Sequence, residues 1–73
     1  MIKLAKENEN TWCVWDTRTG KCAEIVKIYD YILGKEKIRY RVDVAGITVN
    51  SLIEKFQIAR SVAYKAVWKA IKN

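Results

Sequence analysis

Between Thr48 and Lys72 the apolar residues recur at helical spacing, and the rest of the chain has to be arranged around that stretch. Two helices joined by a tight break are expected there. The first covers residues 48–57, with Thr48 as N-cap, because its hydroxyl can accept a hydrogen bond from an orphan backbone N–H. Leu52, Ile53 and Phe56 fall at i, i+1 and i+4 and share one face of that helix. The second covers residues 60–72, where Val62, Ala63, Ala66, Val67, Ala70 and Ile71 form a single apolar stripe. Ile58, in the break, would plug the corner between the two.

Length and charge narrow the function. The 73 residues suit one small domain, residues 1–73, near the size at which a single core is only marginally sufficient, so dimerisation is expected. An apolar content of 51% is too high for a disordered chain, and no apolar run is long enough to cross a membrane. The opening MIKLAKENEN turns polar too early for a signal peptide, which makes the expected location cytoplasmic. The formal charge is +6, and residues 47–73 hold five Lys/Arg against one acid. The excess therefore sits in the two-helix candidate, where it would attract a polyanion. There is no His, so Cys13 and Cys22 make no Cys/His zinc site, and free thiols are expected, although a disulfide across a hairpin is geometrically open. With no activating base, no Gly-rich phosphate loop and no spaced carboxylate pair, the chain is not expected to be an enzyme. Neither a cofactor, a metal nor a small-molecule ligand is expected.

Taken in order, residues 1–10 are either a flexible tail or a short edge strand. Thr11–Asp16 (TWCVWD) is rich in strand formers, and residues 16–20 carry turn chemistry. Trp12 and Trp15 fall on opposite faces of such a strand, so at most one belongs to the core. Residues 22–33 are ambiguous: their β-branched and aromatic content allows a hairpin from Trp12 to Ile28. Ile25, Ile28, Tyr29, Ile32 and Leu33 nevertheless follow helical spacing, and a helix over 23–33 ending at Gly34 is expected. Lys37–Val44 alternates Ile38, Tyr40, Val42 and Val44 against charged residues, as a half-buried strand does.

The run SLIEKFQIARSVAYKAVWKAI resembles the DNA-binding helix-turn-helix of small phage repressors and winged-helix regulators, over about a third of the chain. Gln57 stands where those proteins usually have a turn glycine. Ile53 and Ala63 look like a size exchange across one helix–helix contact, which conserves core volume. The resemblance implies an α+β fold: a three-helix core (23–33, 48–57, 60–72) with a short antiparallel β element (11–16 and 37–44). That arrangement is winged-helix-like without a C-terminal wing. The small size and basic charge are also similar to regulators encoded by viruses and plasmids.

On that resemblance the protein is a sequence-specific, double-stranded-DNA-binding transcription regulator, expected as a homodimer, with helix 60–72 in the major groove. Arg60, Ser61, Tyr64 and Lys65 match the positions that usually touch DNA, and each has suitable chemistry for base edges or phosphates. Lys69 would meet phosphate. Asn50 and Ser51 could anchor a phosphate at a helix N-terminus, and Arg39 and Arg41 could add backbone contacts from the strand. Two alternatives stay open. One is a ribbon-helix-helix repressor whose strand 37–44 pairs with its mate and reads bases through Arg39 and Arg41. The other is a non-catalytic module that grips an acidic protein through exposed tryptophans and the basic helix.

Overall fold

The computed structural model describes residues 1–72. Five strands, β1 (Ile2–Asn8), β2 (Thr11–Asp16), β3 (Cys22–Ile32), β4 (Lys35–Val44) and β5 (Ile47–Ile53), are followed by one helix, α1 (Phe56–Lys72). The strands form a meander in the order β1-β2-β3-β4-β5, each antiparallel to its neighbours.

The connections explain this topology. β1 turns into β2 through an Asx turn in which the Asn10 N–H donates to Asn8 Oδ1 at 2.9 Å. β2 leaves through a loop organised by Asp16. Its Oδ2 accepts from the Thr19 hydroxyl at 2.8 Å and the Thr19 N–H at 3.0 Å. The other two turns are the dipeptides Leu33-Gly34 and Ala45-Gly46. All four of those residues have positive φ, the backbone of a type I′ hairpin turn, whose twist matches the strands it joins.

Alternation sends Val14, Ala23, Ile25 and Val42 to one face of the sheet, where they are fully buried under α1. The helix answers with Ala59, Ala63 and Val67, one residue per turn and equally buried. Trp12, Tyr40 and Phe56 close the core at the helix N-terminus, with Trp12 and Phe56 ring centroids 4.8 Å apart. Trp12 is thus the core tryptophan of β2, and Trp15 faces the other way.

Several expectations are corrected. Residues 23–33 are not a helix: they lie in β3, paired with β4 from Glu24–Asp43 to Ile32–Lys35. Residues 48–57 are not a helix either. Their first part is β5, and the irregularities in its pairing, between Tyr40 and Val42 and again between Val42 and Asp43, disturb the alternation that would have revealed a strand. The third helix is present but starts at Phe56 and runs straight through Gln57, the expected turn. With one helix among the described residues there is no helix-turn-helix and no winged helix. Residues 2–8 are an edge strand, and β3 separates the two strands expected to pair.

Two outcomes are expected in the folded protein. Ala63→Leu should overpack the helix–sheet contact and lower stability by about 1–3 kcal/mol in chemical denaturation. The Thr19 hydroxyl, more than any other neighbour, holds the Asp16 carboxyl below its ordinary pKa. Its contribution is therefore present above the ordinary carboxylate range and lost as pH falls through the lowered value. The melting temperature of Asp16→Asn should lie below wild type at pH 7, and the gap should close in acid below about pH 4.

Candidate nucleic-acid interface

The outer side of α1 carries the densest uncompensated charge. From Lys55 to Lys72 the sequence has five Lys/Arg and no acid. The ion pairs among the described residues are Met1–Asp16, Arg39–Asp30 and Arg41–Asp43, so none involves the helix. Burial of Ala59, Ala63 and Val67 turns the opposite side outward. Gln57, Arg60, Ser61, Tyr64, Lys65 and Trp68 then line one shallow surface depression. The Arg60 guanidinium sits 5.5 Å from the centre of the Tyr64 ring, and Lys72 lies 5.7 Å from that of Trp68. The aromatic rings thus hold two of the cations in place without neutralising them.

Of the residues singled out by sequence, Arg60, Ser61, Tyr64 and Lys65 come together here, while Lys69 lines an adjoining depression with Lys65, Val62 and Ala66. The others do not join them. Arg39 and Arg41 alternate with the inward Tyr40 and Val42, so they lie on the face of the sheet away from α1. Both are engaged there. Arg39 bonds Asp30 and donates from its guanidinium to the Ser51 carbonyl at 2.6 Å. Arg41 donates to Asp43 at 3.0 Å, and Asp43 also accepts from the Thr48 hydroxyl at 2.8 Å. Thr48 is therefore part of a strand-face network and caps no helix. Asn50 and Ser51 belong to β5, where Asn50 Oδ1 accepts from the Leu52 N–H, so they flank no helix N-terminus. β4 has β3 on one side and, from Tyr40 to Val44, β5 on the other, so only its Lys35–Arg39 portion keeps a free edge for pairing with a second copy.

The β3–β4 hairpin escaped the sequence analysis. Beyond Val26, the last β3 residue that pairs with β2, the hairpin continues as a two-stranded arm to Leu33-Gly34. Its apex exposes Tyr31 and Leu33, 78% and 97% accessible. The signal available was a Leu-Gly dipeptide between two β-rich runs, read instead as a helix end.

No described cluster of His, Cys, Asp and Glu could hold a metal ion. No described helix is long and apolar enough to cross a membrane. Cys13 and Cys22 are both free thiols. Cys13 pairs with Glu24 across the strands, which leaves Cys22 diagonal to it, at a separation too long for a disulfide without movement. Burial, with the Cys22 thiol and Glu7 adding to it, pushes the Cys13 thiol up to about 11. At neutral pH it is a packed side chain and not a nucleophile. Comparison with known proteins adds no assignment: no family model, no curated protein and no solved structure matches the chain.

Iodoacetamide at pH 8 should therefore alkylate the exposed Cys22 well before Cys13, as read by peptide mass spectrometry. Denaturant should make the two rates converge.

Proposed function

We propose that the protein is a non-catalytic, cytoplasmic DNA-binding regulator that lays the outer face of α1 against duplex DNA. One observation carries this reading: the helix bears four cations with no acid among them and, among the described residues, no ion-pair partner, while the sheet arginines are neutralised in place. Lys69 and Lys72 also complement the negative end of the helix dipole, which is a sufficient structural reason for them. Arg60 and Lys65 have no such reason. Arg60 lies in the N-terminal half and Lys65 just past the helix midpoint, beside Ser61 and Tyr64, whose hydroxyls suit phosphate oxygens and base edges. A single 17-residue helix supplies few base contacts, so two copies are proposed to act together.

The test is a fluorescence-anisotropy titration of mixed-sequence duplex at two salt concentrations. Wild type should bind in the micromolar range at low salt and weaken steeply as salt rises. Arg60→Ala/Lys65→Ala should bind more weakly and lower the slope of log K against log salt by about 2. Lys3→Ala/Lys21→Ala removes the same charge away from the helix and should keep the slope. Absence of binding at low salt, or equal losses in the two double variants, would overturn the proposal. Binding to an acidic protein with no affinity for duplex would point to an interaction module instead.

A further inference from the structure

The β3–β4 arm departs from the rules that the rest of the fold obeys. It runs six residues past the end of β2 on the β3 side, about 20 Å at the rise of an antiparallel strand. The molecule measures 45 × 21 × 20 Å in consequence. At the apex, Leu33 holds φ +54 in a turn position that favours Asn, Asp or Gly. The equivalent position in the β4–β5 turn is filled by Ala45, which leaves only a methyl group in solvent. Leu33 is thus unfavourable twice, in its backbone and in its exposed apolar side chain, and neither folding nor packing gains from it. Local rules broken without a structural gain mark functional sites.

The chemistry of the apex is specific. Tyr29 and Tyr31 point to the side of the arm that continues the helix-covered face, Ile32 points to the other, and Leu33 caps the end. An arm docking on a flat partner would be apolar on one side only; this one is apolar on both sides and at its point. Lys35 and Lys37 stand on β4 just behind the apex, with Lys27 further back, 5.2 Å from the Tyr29 ring centre. Of the two acids in the arm, Asp30 is neutralised by Arg39, which leaves Glu36 alone. A basic collar behind an apolar wedge complements a stack of aromatic bases between two rows of phosphates. It does not suit a second copy of a chain that is itself +6.

We propose that the β3–β4 arm is a DNA-distorting wedge: Leu33 enters a base step while Lys35 and Lys37 hold the flanking phosphates. The inference rests on the duplex-binding role of α1 and adds what the second contact does to the DNA. A flexible pyrimidine–purine step is the expected point of entry, because it unstacks most easily.

Leu33→Asn separates this role from folding, since Asn is the preferred residue for that turn and should leave the melting temperature equal or raise it. The duplex carries 2-aminopurine at a central TpA step and a dye pair at its ends. Bound wild type should raise the 2-aminopurine fluorescence and shorten the end-to-end distance. Leu33→Asn should still bind, at least about tenfold more weakly for the loss of one buried leucine, and should do neither. Wild-type binding with no change in either signal would overturn the wedge and leave the duplex-binding role of α1 standing. Undiminished distortion by Leu33→Asn would also overturn it. Failure of wild type to bind at all would overturn both. Leu33-dependent binding to phosphatidylglycerol vesicles, or a Leu33-dependent sedimentation shift without DNA, would assign the tip to a membrane or to a second copy and likewise refute the proposal.

Discussion

Three side chains on one stripe of α1 meet four on one face of the sheet, and that contact supplies nearly all of the fully buried apolar surface. Ala59 and Ala63 are small, so the helix backbone can approach the strands closely, and Ile25, Val14 and Val42 fill the space that larger helix residues would otherwise take. A chain of 73 residues has little core to spare, and this contact decides where everything else goes. The Trp12–Tyr40–Phe56 cluster extends it at one end of the helix. Ile71 reaches toward Met1, Ile2 and Asp16 at the other.

Because only one face of the sheet is covered, the two sides of the molecule have different electrostatics. On the uncovered face, cation and carboxylate share neighbouring positions, as in Arg39 with Asp30 and Arg41 with Asp43. Half-exposed pairs of this kind add little to stability, but they cancel each other's far field. The helix has no acid available to do so. The net positive charge of the protein is therefore expressed mostly on the helix side, and a polyanion approaching from a distance meets an oriented molecule and not a uniformly basic one.

Two of the five strands, β2 and most of β4, were legible in the sequence, and the failures have physical causes. β2 and the alternating part of β4 stand out because each has one buried and one wet face, so period two is written clearly. The helix over 60–72 stands out for the corresponding reason. β3 is legible only as far as Ile25: past Val26 it enters the arm, where neither face is buried, and nothing constrains which side an apolar residue takes. Chance helical spacing of Ile25, Ile28, Tyr29, Ile32 and Leu33 then outweighed the β-branched content. In β5 the irregular pairing shifted the alternation, and Leu52, Ile53 and Phe56 imitated a helix face although Leu52 is exposed and Phe56 belongs to the next element. The helix-turn-helix likeness was built from those same three residues plus a true amphipathic helix. Four of the candidate contact residues nonetheless share one surface, because an amphipathic stripe places its polar side outward whatever it packs against.

The meander has a kinetic consequence. Every strand pairs with the strand beside it in the chain, through connections as short as two residues, so no pairing requires closure of a long loop. The one distant step is the return of α1 across the strands that precede it. Strand pairing of this kind is local in sequence, whereas docking of α1 closes the longest separations in the chain. Until that docking occurs the apolar face of the sheet is open to water and to other chains. The speed with which Ala59 and Ala63 find their places thus governs how long the protein is exposed to misassociation each time it folds.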